Sequence, residues 1–218
     1  MVKVKQIYRS FLQDNFAGLR LRKPLFYSWD FGLRFDLEVE NSGTKIEEND
    51  EYFTEIISRA TQIFEAAFND SDSIIFIFMD RKWRQRKIKY TNYAFRQIEK
   101  LNRNEIFYTK EKEIYYPTDA YNYALIKLTT DRIKYKNILT AIMNNSFLFK
   151  QPRLENDTTL TEKTIFFLNL DKKLIFHMYD NRGLDIISAK KEILHPIYKK
   201  HNEWLLEYDR DKMDKMFK

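Results

Sequence analysis

The sequence predicts an α+β fold: a mixed or antiparallel sheet with helices packed on it, ending in a β-meander followed by helices. Three observations carry this expectation. Apolar residues from Tyr52 to Phe68 recur at intervals of three and four over more than four turns, the stripe of a core-facing helix. Ile74–Met79 is apolar on both parities, the pattern of a strand buried on both faces. Thr164–Leu170 and Leu174–Tyr179 flank Asp171-Lys172-Lys173 as the arms of a hairpin do. Strands and helices mix without a strict βαβ rhythm, which favours α+β over a parallel sheet.

Taken in order, the chain opens with near-helical spacing of Ile7, Phe11 and Leu12, which predicts a helix over Val4–Phe16. Leu25, Tyr27 and Trp29 alternate, and Leu33, Phe35, Leu37 and Val39 alternate again after Gly32. This period of two predicts a half-buried strand with Arg34, Asp36 and Glu38 on the wet face. Glu47, Glu48, Asp50 and Glu51 crowd the start of the Tyr52–Phe68 helix, where carboxylates favour the positive end of the helix dipole. Tyr93, Phe95 and Ile98 suggest a short helix. Glu105–Tyr116 alternates charged and aromatic residues, and Tyr123–Thr129 predicts a strand. Asp131 is placed to cap a helix carrying Ile133, Ile138, Leu139 and Ile142. Asp180-Asn181-Arg182-Gly183 predicts a turn with Gly183 at positive φ, and Leu184–Ser188 completes the meander. Lys190–Phe217 reads as one or two helices, started or interrupted at Pro196. One domain over residues 1–218 is expected, with sub-lobes 1–150 and 163–218 joined by a polar stretch as the alternative organisation.

Composition narrows the function classes. The 218 residues contain no cysteine, which excludes disulfides, thiolate metal sites and cysteine nucleophiles. No apolar run approaches the roughly 18 residues of a membrane helix, and Met1–Ser10 lacks the apolar stretch of a secretory signal. A cytoplasmic protein without membrane attachment is therefore expected. With only four glycines there is no GxGxxG, phosphate loop or GxSxG. His177, His195 and His201 do not fall at metal-ligand spacing, six residues separating the last two. No cofactor or metal is called for, and an enzyme is disfavoured, although scattered acids and lysines leave a cryptic hydrolase open.

Ile175-Phe176-His177-Met178-Tyr179-Asp180-Asn181-Arg182-Gly183-Leu184-Asp185-Ile186-Ile187 resembles a bacterial family known as domain of unknown function 3885. Pro196-Ile197-Tyr198, Asn202-Glu203-Trp204 and Tyr208-Asp209-Arg210 resemble it too, as do the segments Phe26–Leu37, Trp83–Ile98 and Lys127–Ile142. The resemblance implies a small cytosolic protein of low-GC Gram-positive bacteria and transfers no catalytic residues.

The sharpest chemical feature is the basic run Arg81-Lys82-Trp83-Arg84-Gln85-Arg86-Lys87-Ile88-Lys89, followed by Tyr90 and Tyr93. Cations beside an indole and phenols suit recognition of a charged partner, tyrosine giving large contact area at low entropic cost. Residues 36–72 carry eleven acids against two bases, and residues 81–103 carry nine bases against one acid. These regions fit three descriptions: solvated charges blunting a sheet edge, two stretches attracting one another within the fold, or a bipolar surface for a partner. The functional expectation is a non-enzymatic binding protein, of immunity or antitoxin type, that meets a protein partner through Arg81, Lys82, Trp83, Arg84, Arg86, Lys87, Lys89, Tyr90 and Tyr93. The alternative is an RNA- or DNA-binding module centred on residues 81–89, the net charge being +6. Asp180, Arg182 and Asp185 read as ordinary turn chemistry, Arg182 pairing with Asp185.

Overall fold

In a computed structural model, seven antiparallel strands form one sheet in the order β1-β7-β6-β5-β2-β4-β3. The strands are β1 (Gly32–Asp36), β2 (Ser73–Trp83), β3 (Ile106–Lys112), β4 (Asp119–Thr129), β5 (Glu162–Asn169), β6 (Leu174–Met178) and β7 (Gly183–Ser188). The helices among the described residues are α1 (Val4–Phe16), α2 (Asp50–Ala67), α3 (Tyr93–Arg96), α4 (Tyr135–Asn144), α5 (Lys191–Lys200) and α6 (Arg210–Phe217). The structure describes residues 3–39, 45, 49–83, 88–112, 119–154 and 162–217, without the side chains of 82, 83, 112, 119 and 162. The fold is α+β, with the expected meander β5-β6-β7 followed by helices.

Strand β2 explains why both of its parities are apolar. Ile74, Phe76 and Phe78 join a large core under α2, α4 and α5, while Ile75, Ile77 and Met79 join a second core under α1 and the segment 19–29. Each face of the sheet is therefore dry, and an antiparallel strand can be apolar throughout without parallel pairing. In the larger core Phe64 stacks on Phe68 and Tyr135 at 4.3 and 4.4 Å and meets Phe167 and Phe176 edge-on. Helix α2 starts where Asn49 accepts the Tyr52 N–H, with Asp50 and Glu51 in its first turn. Helix α1 ends at Ala17 and Gly18, both left-handed, the Gly18 N–H reaching the Leu12 carbonyl.

Several expectations are corrected. Leu25, Tyr27 and Trp29 do not lie on a strand: Phe26–Ser28 is a 3-10 turn, held because the Phe26 N–H donates to Asp185. Arg34 is not on a wet face, since the segment 19–29 covers that side of β1; its side chain is 14% exposed. Asp131 does not cap α4, which starts at Tyr135. The intervening residues are tied down instead, Asp131 N–H to the Asp70 carbonyl and Ile133 in a bridge with Ile98. Pro196 lies inside α5 rather than at its start. Gly183 opens β7 in extended backbone, and Arg182 pairs with Asp180, not Asp185.

Candidate functional site

The first three residues of the basic run, Arg81, Lys82 and Trp83, are the last three of β2. Arg81 lies on β2 opposite Tyr121 of β4 and Glu162 of β5, and its guanidinium sits 5.8 Å from the Tyr121 ring centre. The Arg22 guanidinium, from the segment after α1, lies over the same ring at 3.8 Å. Arg22 also donates to the Tyr123 hydroxyl at 2.6 Å and to Glu111 of β3 at 3.3 Å, and Tyr123 donates to Glu111 at 2.9 Å. Arg20 reaches the other Glu111 oxygen at 3.5 Å. Alternation in three neighbouring strands thus puts Arg81, Tyr121, Tyr123 and Glu111 on the face that α1 covers.

Beside this network runs a groove of about 290 Å³, bounded by α1, residues 18–21 and β3. Lys5, Arg9 and Arg20 line it with Glu111, the one acid among the described lining residues, beside Tyr8 and Tyr123; Lys110 borders it from β3, where alternation turns its side chain to the other face. Burial pushes the Tyr8 and Tyr123 phenols well above their ordinary range, so both stay protonated as donors. A second concavity of about 470 Å³ shares Tyr8, Arg9, Leu12 and Gly18 with the first. The arrangement presents cations to an anionic ligand, while the Tyr123 hydroxyl proton is taken by Glu111.

The rest of the expected surface is distributed differently. Lys89 is exposed, whereas Tyr90 and Tyr93 are half-buried at the rim of the larger core on the other face. Tyr90 donates to the Leu101 carbonyl at 2.7 Å, beneath the Arg103 guanidinium. Arg81 therefore does not share a face with Tyr90 and Tyr93. The side chains of Lys82 and Trp83 and all of Arg84, Arg86 and Lys87 lie outside the described residues. Nor do the two oppositely charged stretches neutralise one another among the described residues. Glu55, Glu65, Asp50 and Asp72 pair instead with Arg59, Lys136, Lys150 and Lys172.

A second polar cluster is buried at the β1-β7-β6 end of the same face. Register aligns Arg34, Asp185 and His177 in a row across the three strands. Arg34 lies 3.6 Å from Asp185 and 3.9 Å from Asp209, and Tyr27 donates to Asp209 at 2.7 Å. Burial pushes the Asp185 carboxyl up to about 6, against the pull of Arg34 and the Phe26 N–H. Burial, then Lys23, brings His177 down to about 3; it stacks on Phe166 at 4.4 Å with neither ring nitrogen hydrogen-bonded. A lone acid within the apolar run Leu184–Ile187 was the available sign of a buried carboxylate. Nothing local marks Arg22, which acts through tertiary contact. Among the described residues no group of three metal-binding side chains converges.

Over this fold the chain belongs to the family described as Domain of unknown function (DUF3885), whose model matches residues 8–209. That span takes in all but the first turn of α1, the groove apart from Lys5, the sheet and the buried cluster. The chain is similar to a Bacillus subtilis (strain 168) protein printed as "Uncharacterized protein YnaE", 24% identical over 211 residues, covering 91% of this chain and 96% of that one. No solved structure matches it. No helix is long and apolar enough to cross a membrane among the described residues.

Proposed function

We propose that this chain is a non-enzymatic binding protein that docks an acidic protein partner on its α1 face, as immunity and antitoxin proteins do. The observation that carries the reading is the groove beside Arg22, Tyr121 and Arg81, where Lys5, Arg9 and Arg20 stand around one acid that two arginines already engage. Such a surface attracts an anionic partner at long range and offers tyrosines for contact at short range. Arg81 opens the basic run on this face, and the charge that Lys82, Arg84, Arg86, Lys87 and Lys89 carry in the sequence adds to long-range steering; Tyr90 and Tyr93 serve as packing on the other face.

Affinity capture with the full chain from a Bacillus lysate, at low ionic strength and after nuclease treatment, tests this. One dominant acidic protein should be retained and should elute as salt approaches the range where surface charges are screened. Arg9→Glu with Arg20→Glu, both exposed, should weaken capture chiefly by slowing association. Retention seen only in a parallel capture without nuclease would favour the nucleic-acid reading instead, and capture indifferent to both charge changes would sink the proposal.

A further inference from the structure

We infer that the partner enters this groove as an extended segment that adds to β3 as an eighth strand, with acidic side chains at alternate positions and apolar ones between. The inference rests on the binding reading above and specifies the partner's conformation and chemistry.

The two edges of the sheet are treated differently. The outer edge of β1 is closed by the chain itself: Leu206 N–H donates to the Arg34 carbonyl at 2.9 Å, and Leu205 bridges to Phe35. Strand β3 is the other edge, and among the described residues it pairs only with β4. The Ile106 N–H turns back to the Arg103 carbonyl, and among the described residues no backbone group outside the sheet bonds to 107–112. Every second N–H and C=O along this seven-residue strand therefore points outward, the arrangement that accepts an added strand.

The side chains around that edge select the occupant. On the α1 side, Lys5 and Arg20 stand beside β3, Lys5 lying 5.7 Å from the Phe107 ring centre and Arg20 held by Glu111. An added strand would direct alternate side chains to this side, where carboxylates meet cations. On the opposite side Tyr108 is 47% exposed, an aromatic platform for the intervening apolar side chains. A second copy of this chain fits poorly, because a basic groove would meet a basic groove.

The full chain is panned at low salt against a displayed random peptide library, and enriched peptides are synthesised in three forms. These are unmodified, N-methylated at odd positions, and N-methylated at even positions. Enriched peptides should alternate acidic and apolar residues. One N-methylated series should lose affinity on the order of tenfold or more while the other binds normally, since only one parity faces β3. Backbone amides within Ile106–Lys112 should gain hydrogen-exchange protection in the complex. Acidic peptides that weaken with Arg9→Glu and Arg20→Glu, yet tolerate both methylation patterns, would overturn strand addition and leave the binding reading standing. Enrichment without acidic residues, or no enrichment, would overturn both.

Discussion

His177 and Asp185 face each other across β6 and β7, and burial acts on them in opposite senses. His177 titrates near 3 in the fold against about 6.5 when unfolded, so it contributes stability above 6.5 that is lost as pH falls towards 3. Asp185 titrates near 6 against 3.8, so its contribution is complete below 3.8 and is lost as pH rises through 6. Arg34, Asp209, Tyr27, Tyr179 and Lys23 surround the pair, and at about 1.4 kcal/mol per pH unit the two opposing slopes nearly cancel between pH 6 and pH 4. Replacing one member should uncover the other. Between pH 7 and 4.5, denaturant unfolding of His177→Phe should show stability rising relative to wild type, by on the order of 2 kcal/mol. Asp185→Asn should show it falling by a similar amount. Parallel pH profiles for all three proteins would refute this account.

The turn joining β6 to β7 depends on space rather than on a left-handed residue. A Cβ on Gly183 would overlap the Tyr179 hydroxyl oxygen and the Phe35 carbonyl oxygen of the neighbouring strand. Gly183→Ala should therefore destabilise by about 1–3 kcal/mol, the usual range for overpacking. Because one obstacle is a hydroxyl, Tyr179→Phe should recover part of the loss in the double variant although it is not stabilising alone, as thermal unfolding of the four proteins would show. The turn itself was legible in Asp180-Asn181-Arg182-Gly183, but the role of its glycine was not. Sequence signals report φ preferences within a few residues, whereas the crowding depends on how the Tyr179 ring folds back over the turn and on the Phe35 carbonyl of β1, about 150 positions earlier in the chain. The same limit explains Arg34: alternation marks which residues share a face, and only packing determines whether that face meets water.

Across the whole molecule, the C-terminal arm is the device that closes one sheet edge. Leu205 and Leu206 continue the sheet beyond β1, Tyr27 anchors Asp209, and α6 packs back on α5 through Tyr198, which donates to Asp214 at 2.6 Å and stacks on Phe217 at 4.6 Å. Deleting residues 202–218 should expose both the β1 edge and the buried Arg34–Asp185 pair. Such a chain should unfold at markedly lower temperature and self-associate at micromolar concentration, because an open edge templates pairing. Sedimentation velocity reads this directly, and a monomeric deletion variant with unchanged melting would contradict it.

Local pattern alone determined the helices Val4–Phe16 and the bulk of α2, the both-faces-buried character of β2, and the meander of β5, β6 and β7. Each of these is a periodicity of 3.6 or 2, or a turn composition, and is complete within a stretch of sequence. The basic run was equally plain as a charge count. Tertiary structure decided what that charge touches: Arg81 shares the Tyr121 ring with Arg22, Tyr90 turns to the other face, and the acidic stretch finds its cations elsewhere. It also decided that β3 is an edge and β1 a covered one, since strand order is a property of non-local pairing on which no single strand's sequence reports.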